Sequence, residues 1–149
     1  PLNRALRIDK FTLAALEATL MRYLAPGDAP RTLRSLRALT EPRGDVKKRA
    51  RKLMARLRRT GLSGLTFEIK EATAAAGGGS LPTQDIPTAV IAVKSAKITA
   101  SRMEMKLRQA AVPIIVRVDE DEILIDLRTV SEEEFGFVVD ALRRATAGE

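Results

Sequence analysis

Residues 113–144 read PIIVRVDEDEILIDLRTVSEEEFGFVVDALRR, and within that stretch the apolar period changes from two to about 3.6. Ile114, Val116 and Val118 share one strand face, with Arg117 and Asp119 on the other. Ile123, Ile125 and Leu127 repeat the pattern opposite Asp126 and Arg128. The polar run Asp119–Glu122 between them predicts a hairpin connection, although the Asn-Gly dipeptide that favours tight hairpins is missing. Ser131 and Glu134 have the spacing of a capping box, and three consecutive acids suit the positive end of a helix dipole. Phe135, Val138, Val139 and Leu142 then form one helical face, with Arg143 and Arg144 in the last turn.

Working back towards the N-terminus, Ser95 or Thr99 can cap a short helix with Met103 and Leu107 facing inward, ended by Pro113. Thr88 to Lys94 is β-branched and mostly apolar, as an interior strand requires. Leu65, Phe67 and Ile69 alternate with Thr66, Glu68 and Lys70 and predict another strand. Residues 71–87 break the pattern, and AAAGGGSLP at 74–82 reads as a flexible loop ending in restricted backbone. Thr40 or Glu41 followed by Pro42 marks a helix start. Val46, Ala50, Leu53 and Leu57 are its buried stripe, and Gly61 is placed to follow its end. Lys47, Lys48, Arg51, Lys52, Arg58 and Arg59 occupy the opposite face. In RTLRSLRAL at 31–39 a leucine recurs every third residue, which fits one or two helical turns or an irregular connector. Asp9 is placed to cap a helix carrying Leu13, Leu16, Leu20 and Leu24 in one stripe, stopped by Pro26-Gly27. The expected fold class is α+β (α/β): a helical arm over residues 1–30, then a domain over 31–149 with a small, mostly antiparallel sheet covered by helices.

The chain has 149 residues, enough for one domain or a domain plus an arm. It has no Cys and no His, which removes disulfides, thiolate nucleophiles, Cys/His zinc sites and His-based triads. No apolar run approaches the roughly 20 residues that span a bilayer. The first residue is Pro1, which suggests a segment or a processed product; the simplest expected location is the cytoplasm. Charge is uneven. Residues 1–60 hold 16 Lys/Arg against 5 Asp/Glu, and residues 61–149 hold 10 against 14. A basic half draws polyanions over about a Debye length, roughly 8–10 Å at physiological salt. A basic face that meets only water is the plain alternative.

The N-terminal string adds specificity. Arg4-Ala5-Leu6-Arg7 is followed by Asp9-Lys10 and then Thr12-Leu13-Ala14-Ala15-Leu16-Glu17-Ala18-Thr19-Leu20. With Gly77–Pro82, the Leu107-Arg108 helix end before Pro113-Ile114-Ile115, and Leu124–Val130, it resembles bacterial selenocysteine synthase, the L-seryl-tRNA(Sec) selenium transferase family. The resemblance implies the C-terminal small domain of a fold-type I pyridoxal 5′-phosphate enzyme, preceded by a long inter-domain helix. It implies conversion of seryl-tRNA(Sec) to selenocysteinyl-tRNA(Sec) with selenophosphate, in the cytoplasm, by a homo-oligomer built from dimers and with no membrane partner. The Schiff-base lysine would lie upstream, so this segment holds no catalytic residue and is expected to be inactive alone. Two alternatives remain: a related fold-type I enzyme acting on a free amino acid or amino sugar phosphate, and a basic tRNA-binding or assembly module.

Arg4 and Arg7 are the leading site candidates. Two guanidinium forks three residues apart can converge on one tetrahedral anion beside a helix N-terminus, and the resemblance identifies that anion as selenophosphate. Lys10 follows an acid, as the family's cofactor lysine does, but begins a helix without the flanking Gly-rich turn and is set aside. Gly77, Gly78, Gly79 and Ser80 are a candidate active-site lip, or only a connector. Lys47, Lys48, Arg51 and Lys52 are candidate tRNA phosphate contacts. With four Phe and one Tyr in the whole chain, base stacking is not expected. Arg128 is read as a structural partner of Asp126 or its neighbours, and no metal ligand set is present.

Overall fold

Strand alternation and capped helical stripes generate two compact units, residues 1–40 and 41–149. The computed structural model describes residues 2–25, 27–75 and 85–147.

The first unit is helical. α1 covers Leu2–Ala5, α2 Lys10–Leu24, α3 Ala29–Thr32 and α4 Arg34–Thr40. RTLRSLRAL therefore belongs to two short helices separated by Leu33, whose backbone is extended. The stripe of α2 forms at the expected spacing, but no residue of that helix is buried.

The second unit contains α5 (Arg43–Arg59), β1 (Leu65–Ala74), β2 (Ile86–Ser95), α6 (Ala100–Arg108), β3 (Arg117–Asp119), β4 (Glu122–Asp126), a 3₁₀ turn at Glu132–Glu134 and α7 (Phe135–Thr146). The four strands form one antiparallel sheet in the order β1-β2-β4-β3. β2 is interior, and residues 88–93 are buried on both faces, which is why that segment lacks polar alternation. Ile91 and Val93 of β2, Ile123 and Ile125 of β4, and Leu53 and Leu57 of α5 meet Met103, Leu107, Val138 and Leu142 in the main core. On the other sheet face Val90, Ala92 and Leu124 form a smaller cluster with Ala72. Lys70 lies opposite Val90 in the register and reaches Glu122 at 2.6 Å, so its stem passes over β2 and covers that cluster.

The β3–β4 hairpin forms as expected, with Glu120 (φ 45°) and Asp121 (φ 59°) both left-handed. That is the geometry Asn-Gly would favour. Here Asp121 is tied down instead, because its carboxylate accepts the Ala100 amide at 3.1 Å beside the Thr99 cap of α6. β3 is shorter than the alternation suggests: Ile114–Val116 lie outside the ladder, and the Ile114 amide is spent on the Leu107 carbonyl at 3.0 Å. The Ser131–Glu134 capping box is present, but its acids form the 3₁₀ turn and the α-helix starts at Phe135.

Candidate functional site

α1 is a single turn, extended by the Leu6 amide donating to the Leu2 carbonyl at 2.9 Å. Arg4 lies in that turn and Arg7 just beyond it. Both are exposed, and neither has an acidic partner among the described residues. Asp9 then caps α2: its Oδ1 accepts the amides of Phe11 (2.9 Å) and Thr12 (3.0 Å), and its Oδ2 accepts the Thr12 hydroxyl (2.6 Å). Those bonds, the Thr12 hydroxyl first, hold the Asp9 carboxyl below its ordinary value. The expectation of an anion at a helix N-terminus is thereby narrowed. Asp9 already occupies the Phe11 and Thr12 amides of α2 with negative charge, which leaves that helix end unfavourable to a further anion. Lys10, the first residue of α2, is exposed.

The basic face of α5 is partly neutralised. Lys47 and Arg43 both reach Glu71, at 3.0 and 2.7 Å, and the Lys47 hydrogen bond and then the Arg43 charge hold Glu71 below its ordinary value. Lys48 reaches Asp45 at 2.8 Å and Lys52 reaches Glu132 at 2.6 Å. Of the four tRNA-contact candidates on this helix, only Arg51 has no acidic partner among the described residues.

A buried polar cluster sits where the start of α5 meets the ends of β2 and β4. Arg49 pairs with Glu41 and donates to the Leu127 carbonyl at 2.6 Å. Arg128 donates to the carbonyls of Glu41 (2.8 Å) and Pro87 (2.6 Å). Asp126 accepts both the Thr88 hydroxyl (2.8 Å) and the Arg128 amide (2.9 Å). Arg128 is thus held by backbone carbonyls and by the turn its neighbour Asp126 closes. The Arg49–Glu41 pair is absent from the expectations above. Its signal was present: Arg49 falls three residues after Val46 and four before Leu53, on the buried side of α5.

Gly77, Gly78, Gly79 and Ser80 lie outside the described residues. No helix is long and apolar enough to cross a membrane among the described residues. The described lysines do not fit a pyridoxal phosphate Schiff base, which needs an enclosed amine of lowered pKa. Lys10, Lys94 and Lys97 are exposed, Lys47, Lys48, Lys52 and Lys70 are engaged by carboxylates, and Lys106 donates to the Ala145 carbonyl.

Residues 1–131 match the family model described as L-seryl-tRNA selenium transferase. Proteins named L-seryl-tRNA(Sec) selenium transferase are similar over nearly the whole chain. That of Clostridium botulinum (strain Hall) is 43% identical over 96% of this chain and 31% of its own length. That of Alkaliphilus metalliredigens is 40% identical over 96% and 30%. That of Nitratidesulfovibrio vulgaris is 41% identical over 97% and 31%. The chain therefore spans about a third of the length of these curated relatives.

Proposed function

This chain belongs to the L-seryl-tRNA selenium transferase family, and from that premise we propose that it supplies the selenium-donor grip of an enzyme converting seryl-tRNA(Sec) to selenocysteinyl-tRNA(Sec). In this reading residues 41–149 are the C-terminal small domain of a fold-type I enzyme, and the helical unit before them is its inter-domain arm. The enzyme works in the cytoplasm as a homo-oligomer built from dimers. Pyridoxal phosphate, which a lysine outside this segment would hold, would supply the carbon chemistry at the seryl group.

Arg4 and Arg7 bind selenophosphate. A guanidinium keeps its charge at every relevant pH and offers paired N–H donors to a tetrahedral oxyanion. Two of them neutralise much of the donor's charge and fix its orientation, so that selenium approaches the activated seryl carbon in a productive geometry. The observation that carries the reading is the pair of exposed arginines without acidic partners among the described residues, beside a helix cap that Asp9 keeps for itself. The test is kinetic. In a full-length selenium transferase carrying this segment, Arg4→Ala and Arg7→Ala should each raise the donor concentration needed for half-maximal rate while leaving tRNA affinity intact. Unchanged donor kinetics in both variants removes the assignment.

A further inference from the structure

The cations of α5 fall into two sets, one paired with carboxylates and one not. Its only acid, Asp45, lies in the first turn, and Lys47, Lys48 and Lys52 are each taken up by a carboxylate. From Val46 to Phe67 the sequence has no Asp or Glu at all. Arg51, Arg58 and Arg59 are exposed and have no acidic partner among the described residues. Arg51, Ala55 and Arg59 are spaced four apart, so they lie along one ridge about 12 Å long with Arg58 beside it. Among the described residues, the one side-chain bond of this set is from Arg59 Nε to the Ala55 carbonyl at 3.2 Å.

The fold adds a fourth cation beyond the C-terminal end of α5. After α5 the chain turns through Gly61 (φ 62°) and Gly64 (φ 81°) into β1. The Gly64 carbonyl accepts the Ala96 amide at 2.9 Å, which brings in the turn after β2. The Lys97 stem lies against Gly64, 3.7 Å from where a Cβ would stand, and Lys97 is exposed. Arg58 and Arg59 also suit the negative end of the α5 dipole, but that accounts for neither Arg51 nor Lys97.

We propose that Arg51, Arg58, Arg59 and Lys97 form a surface that contacts the sugar–phosphate backbone of RNA. The assignment of tRNA as that RNA rests on the function proposed above. Arginine forks favour phosphate, and no aromatic residue stands on the ridge to stack a base. Contact is therefore with backbone charge and not with base sequence.

The test is salt-titrated tRNA binding by the 149-residue chain and by an Arg51→Gln/Arg58→Gln/Arg59→Gln/Lys97→Gln variant whose circular dichroism matches it. Four lost phosphate contacts should flatten the slope of log affinity against log salt by about 3. Between about 50 and 200 mM salt the unaltered chain should then lose roughly 60-fold more affinity than the variant. A Lys47→Gln/Lys48→Gln/Lys52→Gln variant should change the slope by less than about 1. An unchanged slope in the first variant overturns the proposal, as does equal competition by polyglutamate at matched charge. A flattened slope alongside donor kinetics indifferent to Arg4 and Arg7 would sink the donor reading and leave this surface standing.

Discussion

Asp9 holds Thr12 at two atoms, accepting its amide at 3.0 Å and its hydroxyl at 2.6 Å. α2 has no buried residue, so its first turn is fixed by this local bonding and not by packing within a core. Asp9→Ala should therefore release the end of α2: amide exchange at Phe11 and Thr12 should accelerate while exchange in β2 stays as it was. Asp9→Asn keeps an acceptor oxygen and should fall between the two. Equal exchange rates in all three proteins would show that the cap contributes nothing.

The same cap titrates. The Asp9 carboxyl is held below 3.8 in the folded chain, chiefly by the Thr12 hydroxyl. Its contribution is fully present above that ordinary value and disappears as pH falls through the lowered folded one. Glu71, held below 4.5 by Lys47 and then Arg43, behaves in the same direction. The Phe11 and Thr12 amide resonances should accordingly show a titration midpoint below 3.8 that is absent from Asp9→Asn. A midpoint at or above 3.8 contradicts the bonding described.

Two arginine–carboxylate and lysine–carboxylate pairs on α5 should differ sharply in worth. The Arg49 and Glu41 side chains are 8% and 12% exposed, those of Lys52 and Glu132 60% and 51%. Removing Arg49 strands a buried carboxylate and the Leu127 carbonyl, so Arg49→Met should cost about 3 kcal/mol. Lys52→Met breaks a pair that water and salt already screen and should cost under about 1 kcal/mol. Urea unfolding of the two variants measures both, and similar midpoints would refute the distinction.

What the sequence makes legible follows the range of the interaction. The β3–β4 hairpin and the Ser131–Glu134 box were readable because period-two alternation and capping act between neighbours. The interior position of β2 was readable from its unbroken apolar run. Long-range polar pairing left no such mark. Lys70 meets Glu122 across β2, and Arg128 meets Glu41 and Pro87, only because the sheet order brings those segments together. The shortening of β3 has the same origin, since the Ile114 amide is captured by the end of α6 before it can join the ladder. At the candidate site, the arginine pair was visible as spacing and Asp9 as a cap. That Asp9 would exclude an anion from the helix end follows only from its bonds to Phe11 and Thr12.

The stripe of α2 leads to a prediction about association. Leu13, Leu16 and Leu20 are about half exposed and Leu24 is 75% exposed, so apolar surface lies along one side of the helix. Contiguous apolar surface of this kind seeks cover, and in the isolated 149-residue chain a second copy is the cover at hand. Sedimentation velocity should show a weight-average mass that rises with loading concentration. Leu16→Glu/Leu20→Glu should return it to the monomer value. Neither leucine belongs to the core of residues 41–149, so the urea midpoint of that unit should move by less than about 0.5 kcal/mol equivalent. A double variant that associates as strongly as the unaltered chain would place the contact on another surface, and the exposed Phe137 and Ile115 would be the next to substitute.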